Sequence, residues 1–292
     1  MQNTIIFTPI RNDLIERALF TLYKNTVPNF YVIVVDQTPH GLDNNLRDRF
    51  KNLTLIRTPK TATHTKGNLG FSKANNLAIS LVTTPYFTLA NDDVEFIDRR
   101  WWGGVMKTFK VVAESTPDRP AMMVCPSSIR LPDWSVNRPS GDHFDTIPYK
   151  KKYSRDDYDH LVNDEHYVNE NLTLKPGSVI DGVTFYCPVI ETAKFLEVGF
   201  LNEKFFPGGG EDYDYNCRAN MAGYRLVGTT MSWVWHWWSK SLSSEDALQL
   251  RIDLSEPKLN WNNNHELWGE NFDIWGMKEE GFEVPPITIR PL

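Results

Sequence analysis

PYFTLANDD, residues Pro85–Asp93, runs an apolar stretch straight into a cluster of acid. Tyr86 to Ala90 suits a strand buried on both faces, and the chain resumes as Val94-Glu95-Phe96 after the tip Asn91-Asp92-Asp93. Carboxylates at the end of a buried strand are costly unless something neutralises or solvates them. A metal ion, a cationic ligand or solvent therefore belongs nearby. In an open α/β sheet, ligands sit in the crevice beyond the carboxyl ends of the strands. Oxygen ligands from Asp and Asn suit a hard divalent cation, Mg2+ or Mn2+. If strand geometry continues through the tip, Asn91 and Asp93 share one side and Asp92 takes the other, which makes Asp93 the first choice of ligand. The same residues also fit a polar turn that closes a strand.

Working upstream, Thr4–Pro9 is a β-branched and aromatic run suited to a first strand. A helical pattern follows from Asp13 to Tyr23, with Leu14, Ile15, Ala18, Leu19 and Leu22 on its apolar side. Tyr31–Val35 reads as a second strand and ends in Asp36. Strand, helix, strand in that order predicts a parallel βαβ unit with both strand ends at one crevice. Asp36 is thus a second acid at a strand end, placed either to accept hydrogen bonds from a nucleoside or to serve the turn in DQTPHG. Leu53–Arg57 reads as a short third strand. Gly67-Asn68-Leu69-Gly70 then leads into a helix over Ser72–Leu81. Glycines before a helix N-terminus let the backbone approach an anion.

Downstream, Trp101–Val112 reads as a helix and Ala121–Cys125 as a strand. From Pro126 to Pro176 regular order breaks down, which predicts a long excursion on the acceptor side of the molecule. Lys150-Lys151-Lys152 within it reads as a solvated face. Ser178–Cys187 resumes strand character and a helix follows around Glu191–Glu197. Gly208-Gly209-Gly210 then precedes Glu211-Asp212-Tyr213-Asp214, and a helix from these acids should run to Ala222 and stop at Gly223. Asp214 and Arg218 stand four apart and should pair on the helix surface. Glu211 and Asp212 have no such partner in sequence. The triple glycine admits a ligand beside them, and mutual repulsion raises the proton affinity of at least one, as a general base requires. Ser232–Trp238 reads SWVWHWW, with Trp233, Trp235 and Trp237 on one strand face and Val234, His236 and Trp238 on the other. His236 fits either a core residue or a ligand. A helix near Ser244–Leu254 and a tail through Trp261, Trp268 and Trp275 should wrap the domain.

With 292 residues the chain can bury a large core, and it shows no internal repeat or linker. The division expected is one α/β domain over residues 1–240, with an insertion at 127–177 and an extension at 241–292. A net charge of −6 speaks against a nonspecific nucleic-acid binder. Cys125, Cys187 and Cys217 form no CxxC pair and read as buried free thiols of a reducing compartment. The N-terminus has no signal-peptide pattern, and nothing approaches the roughly 18 apolar residues of a membrane span, so a cytoplasmic protein is expected.

Four blocks in order resemble a family 2-type inverting glycosyltransferase of the GT-A fold. They are TPIRNDLIERALFTLYKNT with VIVVDQT, GNLGFSKANNLAI, LANDDVEF, and FLNEKFFPGGGEDYDYNCRANMAGYRL followed by WVWHWWSKS. The resemblance covers residues 1–125 and 178–240. It implies a Rossmann-like, mixed but mostly parallel sheet flanked by helices. It also implies transfer of one sugar, as by a hexosyltransferase, from a nucleotide-sugar donor, a UDP-sugar first and GDP- or dTDP-sugars as alternatives. Thr8, Pro9, Arg11 and Asp36 would hold the nucleoside. A segment like NxGxxxAxN, with Asn68, Gly70, Ala74 and Asn75, would line the donor pocket. Asn91-Asp92-Asp93 stands in place of a DxD signature, with Asp93 and His236 on Mg2+ or Mn2+. Asp212, ahead of Glu211, would be the catalytic base. The acceptor would be a hydroxyl of a glycan, a lipid-linked sugar, a protein or a modified nucleic-acid base. The Q-x-x-R-W signature of processive synthases is absent, which points to single transfers. A sugar-nucleotide nucleotidyltransferase is the rival enzyme, although TPIRND has no glycine-rich loop. A non-catalytic carbohydrate-binding protein using its ten tryptophans is the rival binder.

Overall fold

In the computed structural model, described here over residues 2–27, 29–38, 40–58, 68–129, 179–181, 183 and 185–237, nine strands form one sheet. β1 (Asn3–Phe7), β2 (Phe30–Asp36), β3 (Leu53–Arg57) and β4 (Tyr86–Ala90) are parallel neighbours in the order β3-β2-β1-β4. The apolar runs of β1, β2 and β4 are buried on both faces, as central parallel strands under crossover helices must be, while the edge strand β3 buries only Leu55. Helix α1 (Asn12–Asn25) links β1 to β2, and α3 (Phe71–Ile79) precedes β4. The four-residue helix α2 (Leu46–Arg49) has no counterpart in the sequence reading, since one turn carries too little periodicity to register.

The second half continues with β5 (Val94–Glu95), α4 (Trp101–Ser115), β6 (Ala121–Ile129), β7 (Val179–Asp181), β8 (Val189–Glu191), α5 (Thr192–Val198), α6 (Glu211–Met221) and β9 (Arg225–His236). β8 runs antiparallel between β4 and β6, β9 lies parallel to β6, and the short β5 and β7 both pair antiparallel with β9. Six strands (β1, β2, β3, β4, β6, β9) therefore point one way and three the other, the mixed, mostly parallel sheet expected.

Two strand expectations change. Of the strand expected over Ser178–Cys187 only Val179–Asp181 is strand, as β7, and a separate β8 follows beyond that span at Val189–Glu191, because the two pair with different partners. β9 starts at Arg225 and not at Ser232, and its ladder with β6 jumps from Thr229 to Trp233 at a bulge. Helix α4 lies against that bulge. A Cβ on Gly104 would stand 1.8 Å from the carbonyl oxygen of Met231, so only glycine lets the helix come this close. Thr108 Oγ1 meets Thr229 Oγ1 at 2.7 Å just beyond it.

One apolar cluster joins the halves, from Ile5, Val34 and Phe87 to Trp101 and Val234. Cys125, Cys187 and Cys217 are buried free thiols, as expected. Among the described residues no helix is long and apolar enough to cross a membrane. The rest of the expected insertion beyond Ile129, the Lys150-Lys151-Lys152 run, Trp238, the helix near Ser244–Leu254 and the extension at 241–292 lie outside the described residues.

Candidate active site

Strand register decides which ends meet. Phe7 pairs with Val34 on one side and with Ala90 on the other. The continuations Thr8-Pro9, Asp36 and Asn91-Asp92-Asp93 therefore leave adjacent strands at one carboxyl edge, the crevice where open α/β sheets bind ligands. The strand does not continue through the acidic tip. Val94 N–H donates to the Asn91 carbonyl at 3.1 Å, making residues 91–94 a turn between β4 and β5, so the turn and not strand alternation aims these side chains. Asp92 and Asp93 are buried.

β5 places Val94 opposite His236 of β9, and the Trp237 N–H donates to the Asp93 carbonyl at 3.0 Å. These ladder contacts bring His236 Nε2 to 3.2 Å from Asp93 Oδ1, although the residues are far apart in sequence. The Tyr186 ring stacks on the imidazole, 4.9 Å between centroids at 17°. An oxygen and a nitrogen that share an ion at right angles, each about 2.1 Å from it, stand about 3 Å apart, so this buried pair fits two positions of a divalent cation. Among the described residues no group of three or more His, Cys, Asp or Glu is arranged to hold a metal. Asp93 and His236 would thus hold the ion with water and phosphate oxygens completing its shell.

The second cluster stands at the start of α6. A cis Phe206–Pro207 bond leads into Gly208, then Gly209 (φ 93°) and Gly210 (φ 95°), conformations that favour glycine, and the helix begins at Glu211. Glu211 is buried, Asp212 only partly. Burial, then the neighbouring Asp212 charge, pushes Glu211 up to about 8. Burial raises Asp212 to about 6, against the backbone N–H groups of Tyr213 and Phe185 among others. Asn216, one turn further on, fixes this helix end: its Nδ2 donates to the carbonyls of Val183 at 2.8 Å and Asp212 at 2.6 Å. The Phe185 backbone N–H lies beside the Asp212 carboxylate, while the ring of the next residue, Tyr186, stacks on His236 and its carbonyl accepts from Asn91 N–H at 2.9 Å. Two consecutive residues thus join the carboxylate cluster to the Asp93–His236 pair. Asp214 and Arg218 do pair, at 2.9 Å, but in the interior and not on the helix surface. Arg218 lies 4.7 Å over the Tyr215 ring and both side chains are buried.

On the nucleoside side the expected residues are at the edge, with their polar groups already engaged locally. Asp36 Oδ1 accepts from Thr38 N–H at 3.0 Å and from its hydroxyl at 2.6 Å, and Oδ2 accepts from Leu42 N–H at 2.7 Å, which is the turn role. Arg11 pairs with Asp13, Nε to Oδ1 at 2.8 Å. Asn68 Oδ1 accepts from Gly70 N–H at 2.8 Å. Gly70 has φ 77°, and a Cβ there would lie 2.7 Å from the Phe206 ring, so the segment before α3 rests directly on the loop that carries the catalytic candidates. Asn75 donates to the Phe71 carbonyl within its own helix at 2.9 Å. The cross-element contact belongs to its neighbour. Asn76 Nδ2 donates to the Leu201 carbonyl at 2.9 Å and Asn76 Oδ1 accepts from Leu201 N–H at 3.0 Å. Strict NxGxxxAxN spacing from Asn68 lands on Asn76, a signal available in the sequence. Gln37 makes a second link of this kind. Its Nε2 donates to the Thr8 carbonyl at 3.1 Å and its Oε1 accepts from Leu69 N–H at 2.7 Å, bridging the end of β1 to the GNLG segment.

No family model matches the chain, and no curated protein does. Solved structures do. GalNAc-T7 with UDP, GalNAc and Mn2+ superposes with a TM-score of 0.54 at 12% identity, over 93% of this chain and 49% of that one. S. aureus TarS 1-349 in complex with UDP-GlcNAc superposes with a TM-score of 0.50 at 15% identity, over 91% of this chain and 73% of that one. At these identities the likeness is one of architecture, and the architecture of this chain is the GT-A fold of glycosyltransferases.

Proposed function

We propose that the chain is an inverting, metal-dependent glycosyltransferase of the family 2 type that moves one hexose from a nucleotide sugar to an acceptor hydroxyl. The observation that carries this reading is the bridge Phe185-Tyr186, which sets Asp212 on one side and the Asp93–His236 pair on the other. A base for the acceptor and a cation site for the donor diphosphate are what such a transfer requires. The solved neighbours support a UDP-sugar first, since GalNAc-T7 is seen with UDP and TarS with UDP-GlcNAc, with GDP- and dTDP-sugars next.

When bound, the cation offsets charge that develops on the departing nucleoside diphosphate. Asp212 accepts the proton of the acceptor hydroxyl as that oxygen attacks the anomeric carbon from the face opposite the phosphate. The new carbon–oxygen bond forms while the bond to the phosphate oxygen breaks, and a single displacement inverts the centre. Glu211, held neutral near pH 7 by its burial, leaves Asp212 as the ionised member of the pair. Of the five described tryptophans, Trp101, Trp233 and Trp235 are buried and Trp102 and Trp237 partly so, which gives a stacking binder no exposed platform among the described residues.

The test is nucleoside diphosphate release from UDP-, GDP- and dTDP-sugars with Mn2+. One donor should be turned over by the native chain and not by Asp212→Asn. Consumption of a nucleoside triphosphate with a sugar phosphate would move the chain to the nucleotidyltransferases. No turnover of any nucleotide sugar would end the proposal.

A further inference from the structure

We infer that Glu95, acting through the indole of Trp237, is a positioning residue for the Asp93–His236 pair, an inference that rests on the metal reading above. Glu95 is the second residue of β5 and only 2% exposed, between the buried Val94 and Phe96. Its Oε1 accepts from Trp237 Nε1 at 2.6 Å and lies 3.2 Å from Arg17 Nε of α1. The Arg17 guanidinium also stands 5.4 Å over the Trp237 ring.

Trp237 directly follows His236 and is tied at two points. Its backbone N–H donates to the Asp93 carbonyl and its side chain donates to Glu95. Among the described residues the β6 ladder holds β9 as far as Trp235 and β5 adds only two pairs, so the Glu95–Trp237 bond is what closes the strand end on the far side of His236. β5 is itself anchored to α1. Thr21 Oγ1 accepts from Phe96 N–H at 3.0 Å, and Asn25 Nδ2 donates to the Phe96 carbonyl at 2.7 Å. Glu95 is buried but its partner Arg17 is half exposed, so the pair adds little stability over an apolar side chain at position 95, and the carboxylate is better explained by the orientation it imposes. Holding Trp237 from both ends fixes the backbone of His236 and with it the aim of Nε2 at Asp93.

The experiment is Mn2+ binding to the full chain with saturating UDP, read from the paramagnetic resonance of free Mn2+. Trp237→Phe keeps the ring and loses the donor, and Glu95→Ala loses the acceptor. Each should weaken Mn2+ about 10-fold or more, the scale of outer-shell effects on metal affinity. Glu95→Gln, whose amide oxygen still accepts from the indole, should stay within about threefold of the native chain. The double variant should be no worse than either single one, because both remove the same bond. UDP affinity without Mn2+ should be unchanged throughout, which general loosening of the fold would not allow. Unchanged Mn2+ affinity in Trp237→Phe, or additive losses in the double variant, overturns the inference, and Trp237→Phe decides it even if Glu95→Ala fails to fold. A native chain that binds no Mn2+ with UDP, or binds it as well after Asp93→Ala, overturns the metal reading as well. Binding lost in Asp93→Ala and kept in Trp237→Phe overturns the positioning role alone.

Discussion

Glu211 and Asp212 are adjacent in the chain and differ in burial, and the proposed transfer gives them different parts. Burial pushes Asp212 up to about 6, so under the proposed mechanism the rate of transfer should rise with pH through that value and level off above it. Asp212→Asn should cost about 10²–10⁴-fold in kcat while donor affinity holds. A large loss of donor affinity in Asp212→Asn, seen by calorimetry, would recast the residue as structural. Glu211 carries a raised value, near 8, and the sign of its effect on stability follows. Between the ordinary carboxyl range and about 8 the folded chain keeps a proton that the unfolded chain has released, so stability falls as pH rises through that window. Glu211→Gln, which cannot ionise, should flatten the dependence of the melting temperature on pH between 5 and 8 and raise the melting temperature at pH 8. An unchanged slope would mean that the native carboxyl ionises in its usual range.

At the scale of elements, helix α4 provides its own control, because two adjacent glycines sit in opposite surroundings. A Cβ on Gly103 meets nothing within 4 Å, whereas one on Gly104 would collide with the Met231 carbonyl. Gly103→Ala should therefore stabilise by about 0.5–1 kcal/mol through helix propensity. Gly104→Ala should destabilise by about 1–3 kcal/mol through overpacking against the β9 bulge. Denaturant midpoints of the two variants moving in the same direction would contradict this account of the α4–β9 contact. Asn76 offers the comparable test on α3. Removing it leaves the buried N–H and carbonyl of Leu201 without their partner, at about 1–3 kcal/mol for each group. Because Leu201 lies in the loop between α5 and α6 that leads to Glu211 and Asp212, Asn76→Ala should lower kcat more than it changes KM for the donor. Equal effects on both would place Asn76 in donor binding alone.

For the whole molecule, a ligand that binds only the native state stabilises it by mass action, about 2.7 kcal/mol at 100 times its Kd. UDP with Mn2+ should therefore raise the melting temperature more than UDP alone, and Asp93→Ala should erase that difference. An equal shift with and without Mn2+ in the native chain would remove the cation from the donor site. Much of this architecture was legible in the sequence because it is local. The apolar run Phe30–Val35, the acids that end β2 and β4, and the glycines ahead of α6 each announce themselves within a few residues, through periodicity and backbone freedom. What stayed hidden depends on partners distant in the chain. Nothing within Ser178–Cys187 says that its continuation must turn to lie between β4 and β6, since both pieces read equally well as strand. Likewise Glu95 looks like any polar residue in an apolar run until β9 arrives with Trp237. The sequence by itself therefore determined the kinds of element and the chemical character of the candidate groups, because composition and spacing encode short-range preference. Only the tertiary structure decided that Asp93 faces His236, that Asp214 and Arg218 pair in the interior, and that Asp36 serves a turn, because those outcomes depend on which strands become neighbours and how much water they exclude.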